Sequence, residues 1–181
     1  MLALTPWVKR LLIANVAMYL VTRTSRDLYV LLALVPAAVV PRPWTLVTYM
    51  FLHANFAHLF FNMIGLLFFG PRLESRLGAR GFTLLYVLAG VGGAVFSLLF
   101  ARNAAVVGAS GAVYGVLLGF AMFWPRERMF VFPIPVPLEA RAVIGGYLVL
   151  SLLQGVGGLG SGIAHFAHLG GMLGGWLVMR Y

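Results

Sequence analysis

The chain has 181 residues, of which 62% are hydrophobic and 9% charged, against about 45–50% and about 25% in a soluble domain. A spanning helix uses about 20 apolar residues, so there is room for roughly six spans with short connections, and a sizeable soluble domain is excluded. Cysteine is absent, which removes structural disulfides, Cys-based metal sites and thiol catalysis together. The net charge of +9 comes from arginines that punctuate apolar runs without forming a basic patch. It reads as the positive-inside bias of a membrane protein and not as nucleic-acid binding.

In chain order the predicted spans are Val8–Thr22, Ala54–Phe69, Phe82–Ala101, Ala109–Trp124, Arg141–Gln154 and Ile163–Met179. Placing the N-terminus in the cytoplasm puts Lys9, Arg10, Arg72, Arg76, Arg80, Arg126, Arg128, Arg141 and Arg180 inside. Only Arg23, Arg26, Arg42 and Arg102 then lie outside, which supports this orientation with both termini inside. After the first span, Leu28–Val40 is apolar but too short to cross. It is expected to be an interfacial or half-buried external loop, with Trp44 and Tyr49 at headgroup level. Pro133, Pro135 and Pro137 alternate with apolar residues and predict an extended internal linker. Gly155, Gly157, Gly158, Gly160 and Gly162 predict the most flexible external connection. No signal-peptide cleavage pattern is visible, so the first apolar run is expected to stay as an anchor.

Polar groups inside spans are costly and mark functional candidates. They are His58 and Asn62 on the second span, Ser110 and Tyr114 on the fourth, and His165 and His168 on the sixth. Counted from the boundary arginines, Asn62 lies about 15 Å up, His168 about 18 Å, His58 about 21 Å and Ser110 about 24 Å. That is one layer on three parallel helices. Gly111, Gly115 and Gly119 recur every four residues on the fourth span, as do Gly171 and Gly175 on the sixth. Small residues at this spacing let helix backbones approach closely. Singly, each feature reads as ordinary membrane packing or a serine bonded to its own backbone; at one depth beside matched glycines, they read as a site.

Ser110 is the hydroxyl with the best setting for a nucleophile. It lies in Gly108-Ala109-Ser110-Gly111, where a loop becomes a helix whose first N–H groups can hold an oxyanion. His168 would take the serine proton and return it to the leaving amine. Glu74, Glu127 and Glu139 fall on the cytoplasmic side and Asp27 in an external loop, which favours a dyad over a triad. Tyr114, one turn below Ser110, can pack on the imidazole in place of a carboxylate. His58 and Asn62 offer side-chain donors to the same oxyanion. His165 is expected to be structural or solvating, and His53 to sit in a loop at the water interface.

These residues carry a family resemblance over essentially the whole chain. His53 with His58-Leu-Phe-Phe-Asn62, Gly108-Ala-Ser110-Gly-Ala-Val-Tyr114-Gly, and Ala167-His168-Leu-Gly-Gly171 with Gly175 resemble the rhomboid intramembrane serine proteases in residue type, order and placement. The resemblance implies an all-α membrane protein, a six-transmembrane-helix bundle formed by residues 1–181 as one domain. It implies Ser110 as nucleophile, His168 as base, and His58, Asn62 and the Ser110 amide as oxyanion donors, with Tyr114, Gly108, Gly111 and Gly171 in support. It also implies a membrane-embedded external loop over Leu28–Leu52, a Gly155–Gly162 loop capping the site, and single-span membrane proteins as substrates. One departure is Thr45 after Trp44, where the family often has arginine.

The expectation is therefore a multi-pass protein of a prokaryotic cell membrane, its site opening outward. It would act on transmembrane substrates in the lipid bilayer, with no nucleic acid, cofactor or metal. The alternative is a proteolytically inactive rhomboid-like protein that binds or chaperones membrane proteins, although such relatives typically lack the serine or histidine. A histidine metal site is disfavoured because cysteine is absent and the acids lie on the other side. A transporter is disfavoured because no polar path crosses the bundle and no inverted repeat is apparent.

Overall fold

The computed structural model describes residues 4–101, 104–131, 135–157 and 163–181. Arg102, Pro133, Gly158, Gly160 and Gly162, and with them the expected capping of the site, lie outside the described residues. The described chain is all-α apart from one two-residue strand pair.

Helix α1 (Pro6–Thr24) opens with proline in its first turn, where the missing N–H costs nothing. Thr5 provides no side-chain cap. The cap comes from far along the chain: the buried Glu74 carboxylate accepts the N–H groups of Trp7 at 3.1 Å and Val8 at 2.9 Å. An anion at the positive end of a helix satisfies orphan donors and the macrodipole together.

The run expected as a loop holds a second helix, α2 (Arg26–Leu32), capped by Ser25. A 3₁₀ turn at Pro36–Ala38, the short α3 (Thr45–Thr48) and a 3₁₀ turn at Tyr49–Phe51 follow. This region is tied down by its polar side chains. Trp44 Nε1 donates to Leu31 O at 3.0 Å, Thr48 to Leu32 O at 2.8 Å, and Arg42 to Val30 O at 3.4 Å. Thr45 donates to Arg42 O at 2.7 Å, so threonine here closes a local turn. Tyr49 departs from the expected headgroup position. It is 1% exposed, and its hydroxyl donates to Gly90 O at 2.7 Å.

Helix α4 (Phe56–Phe100) contains nearly all of the second and third predicted spans. The expected loop between them is helical and broken only at Gly78, whose φ of 71° suits a residue without Cβ. Phe82 Cζ lies 3.5 Å from the Cβ position of Gly70, whereas twelve residues of straight helix would separate them by about 18 Å. The two arms, residues 56–77 and 79–100, therefore fold back on each other. α4 is long and apolar enough to cross a membrane by length and composition.

Helices α5 (Ser110–Phe123), α6 (Ala140–Gly157) and α7 (Ile163–Arg180) complete the set. The proline linker is not simply extended. β1 (Arg128–Met129) and β2 (Leu138–Glu139) pair antiparallel at its base, Arg128 opposite Glu139. Gly155 and Gly157, expected in a loop, close α6.

The centre of the fold is α7 wedged between α5 and α4. A Cβ on Gly171 would overlap the Gly111 carbonyl, and one on Gly175 would meet Gly115 Cα at 2.8 Å. The predicted glycine seam thus forms for two of its three α5 positions. Gly119 faces the side chains of Leu73, Leu85 and Met179. A second seam was not read from the sequence: Gly170 abuts the Gly92 carbonyl and Gly174 abuts Leu88 O, on the other side of α7.

Two outcomes test this packing. Gly171→Ala should force α5 and α7 apart and lower the thermal unfolding midpoint in detergent. Gly145→Ala on α6, where a Cβ meets nothing within 4 Å, should leave the midpoint unchanged or raise it. Glu74→Ala should cost about 2 kcal/mol, the range for charge-assisted hydrogen bonds, with Glu74→Gln losing less because it still accepts. Equal midpoints for Glu74→Ala and the wild type would remove the cap from the stabilising set.

Candidate active site

Ser110 is the first residue of α5, and the residues before it explain its placement. Gly108 has φ of +122°, a conformation L side chains rarely adopt, and its N–H donates to Tyr49 O at 3.0 Å. Leu34 and Val106 exchange backbone hydrogen bonds. The segment after α4 is thus stapled to the loop region, and α5 starts where that staple ends.

Glycine at 108 has a second reason. A Cβ there would lie 2.5 Å from both Cε1 and Nε2 of His58. The His58 imidazole therefore rests on the backbone just before Ser110. His58 is held at the start of α4, where its own N–H donates to the Asn55 side chain at 2.8 Å.

His168 comes to the same place from α7. The Gly111 Cβ position is 3.2 Å from Ala167 O, so the glycine seam carries the residue before His168 onto the first turn of α5. The His168 ring stacks on Tyr114 with centroids 4.2 Å apart and planes within 8°. The predicted packing of Tyr114 on the imidazole is what the structure contains. His168 Nδ1 is buried and without a partner among the described residues. Among those residues no hydrogen bond joins the Ser110 hydroxyl to His168, a separation common before substrate binds.

Ser110, Tyr114, His168, His58 and Asn62 all border one cavity of about 1300 Å³. The structure thus brings these five residues to one cavity. Asn62 is buried, and its Nδ2 donates to His58 O at 3.0 Å. That bond uses one of two amide hydrogens and leaves the second free. The cavity continues between the first arm of α4 and α6, past Phe68 and Ile144, to Arg72, Glu127 and Arg128. Arg72 pairs with Glu127 at 2.9 Å and lies over the Trp124 ring at 4.3 Å. Glu74 holds α1 and Glu139 pairs with Arg141 at 2.7 Å, so these three acids have partners away from His168.

His53 is not at the water interface. It is 2% exposed, sits edge-on to His58 with centroids 5.1 Å apart, and has neither ring nitrogen paired among the described residues. Its five-residue offset from His58 suggested a loop, and it is in one; that the loop folds inward is a tertiary result. His165 lies 6.0 Å from His168, also edge-on. Tyr49, whose hydroxyl approaches the Cβ positions of Gly93 and Gly111, was missed as a site-building residue.

Comparison with known proteins matches the Rhomboid domain family over residues 41–181. The chain is 36% identical over 135 residues to RHOMBOID-like protein 4 of Arabidopsis thaliana, covering 75% of this chain and 33% of that protein. It is 37% identical over 147 residues to Rhomboid protein 1, mitochondrial, of Saccharomyces cerevisiae, covering 72% and 40%. It is 32% identical over 139 residues to Rhomboid-like protease 3 of Toxoplasma gondii, covering 76% and 51%. The chain thus spans between a third and about half of these relatives' lengths. Relatives occur in eukaryotes and in Bacillus subtilis alike, so similarity does not select the prokaryotic membrane expected above. With the match running through the His58, Ser110 and His168 segments, the chain belongs to the rhomboid family, whose members are multi-pass membrane proteins.

Proposed function

We propose that this chain is an intramembrane serine endopeptidase that cuts membrane proteins in or near their transmembrane segments. The observation that carries the reading is the His168 ring stacked on Tyr114, one turn from Ser110, at a cavity that His58 and Asn62 also border. The family match supports it, as does the word protease in the name of the Toxoplasma gondii relative.

In this mechanism His168 accepts the Ser110 proton as Ser110 Oγ attacks the scissile carbonyl carbon. Negative charge develops on the carbonyl oxygen at the start of α5, where the Ser110 N–H lacks a helical acceptor. The His58 imidazole, against Gly108, and the second Asn62 amide hydrogen add donors to that oxyanion. Collapse of the tetrahedral species breaks the C–N bond, and His168 returns its proton to the leaving amine. Water, deprotonated by His168, then hydrolyses the acyl-Ser110 ester and regenerates the hydroxyl. Tyr114 fixes the imidazole plane by stacking, which covers the orienting part of a triad carboxylate's task.

The slot between the first arm of α4 and α6 gives a substrate segment a lateral route to Ser110. We read the arginine-rich end of the bundle as cytoplasmic, both termini on that side, the site opening toward the other, and residues 1–181 as one six-span domain. Its membrane-embedded external loop is the region from α2 to the turn before α4.

Ser110→Ala should abolish cleavage of a single-span substrate by the purified protein while unfolding at the wild-type temperature. A fluorophosphonate should label Ser110, and His168→Ala should prevent the labelling while His165→Ala permits it. Turnover by Ser110→Ala, with contaminating proteases excluded, would refute the nucleophile. Absence of both cleavage and labelling in the wild type would favour the inactive, membrane-protein-binding alternative. Activity should also survive strong chelators, since no step uses a metal.

Asn62→Ala should lower kcat by about 10²–10³-fold at most, the loss of one oxyanion donor. KM should stay near normal, because the contact is strongest in the transition state. A stable variant with unchanged kcat would remove Asn62 from the oxyanion site.

A further inference from the structure

A second concavity lies on an adjoining face of α6, with Ile144 bordering both. It is a groove of about 440 Å³ between α5, α6 and α7. Its walls are almost wholly apolar, with Leu118 and Met122 from α5, Ile144 and Leu148 from α6, and Leu169 and Trp176 from α7. Gly145 lies in the α6 wall, and its missing side chain leaves space that no neighbouring atom fills within 4 Å.

One end of the groove is charged. Arg141, the second residue of α6, lines it there. Arg180 lies over the Trp176 ring at 4.9 Å, which places a second guanidinium beside the same end. Glu139 is the acid at this end, bonded to Arg141 Nε at 2.7 Å. That bond leaves both terminal amino groups of Arg141 free to donate.

The apolar lining and the charge at one end select the occupant. From Arg141 to Leu148, and from Trp176 to Leu169, the groove runs seven residues, about 10 Å along the helices. A flexible hydrocarbon chain can lie along a slot of this length. An apolar slot ending in two arginines beside an indole complements a molecule with an acyl chain and an anionic head. We infer that the α5–α6–α7 groove is a binding site for one anionic phospholipid, its acyl chain along Gly145 and its phosphate between Arg141 and Arg180. This site is independent of the proposed peptidase chemistry, and its test does not use activity.

The probe is dibrominated phosphatidylglycerol or dibrominated phosphatidylcholine, at equal mole fraction in vesicles holding the full chain. Bromine quenches nearby indole fluorescence. The Trp176 signal is the difference between the wild type and Trp176→Phe. Each arginine near a membrane surface is worth about fivefold in favour of an anionic lipid. Phosphatidylglycerol should therefore occupy the groove at least about fivefold more strongly than phosphatidylcholine. Arg141→Gln with Arg180→Gln should bring the ratio to about one, while Glu139→Gln should raise it. Gly145→Leu, filling open space, should reduce quenching by both lipids. Equal quenching by the two lipids in the wild type, or a preference that survives the double arginine variant, would overturn the proposal. So would protection of Trp176 from both lipids together with a cross-linked dimer through α6, which would make a second copy the occupant.

Discussion

The approach of α7 to α5 and α4 is the constraint on which the other features depend. Between helices in an apolar solvent there is little hydrophobic drive, so association relies on close packing and satisfied polar groups. Gly171 and Gly175 bring α7 onto the backbone of α5, while Gly170 and Gly174 bring its other face onto α4. A helix held on both sides by backbone contact has little freedom to rotate or slide. His168 lies about one turn before Gly171 and inherits its position. The stack on Tyr114 follows from the seam, because the residue before His168 already touches Gly111.

The same solvent explains where the polar side chains point. Thr22, Ser75 and Ser97 donate to carbonyls one turn earlier in their own helices at 2.7–2.9 Å, and Asn15 donates to Leu11 O at 2.8 Å. Tyr49 and Glu74 reach further, each joining elements distant in sequence. Against this background the unpaired buried nitrogens of His53 and His168 stand out. Thr5, Asn15 and Tyr86 supply the other unpaired side-chain atoms among the described residues. An unsatisfied buried polar atom in a native fold calls for an explanation.

Charge is distributed by the same economy. Glu127 pairs with an arginine near the end of the first arm of α4, Glu139 with one at the start of α6, and Glu74 is taken up by α1. Arg10, Arg76 and Arg180 lie over aromatic rings, where an apolar stem and a charged head suit a boundary between hydrocarbon and water. The Ser110 end of the large cavity is left with hydroxyl, imidazole and amide groups and no carboxylate among its described lining residues.

How much of this was legible without coordinates follows from which forces act locally. The long helices could be read from apolar runs bounded by arginine, proline and glycine, because hydrocarbon forces each segment to satisfy its own backbone. The candidate site residues could be picked out as well: helix rise is constant, so residue counts from boundary arginines lead to the expectation that Ser110, His58, Asn62 and His168 lie in one layer. Chain-distant contacts could not be read. The burial of Tyr49 and His53 depends on a loop folding inward against α4 and α5, and no local periodicity encodes that. Gly78 was indistinguishable from a loop glycine until the arms of α4 were seen to fold back. Glu74 carried no sign of its role, since the helix it caps begins 68 residues earlier. The sequence alone determined an apolar helical chain of the membrane type, with Ser110 and His168 singled out beside its glycine stripes. Tertiary structure decided which faces met, because backbone-to-backbone contact at glycines depends on helix rotation, which sequence spacing constrains but does not set.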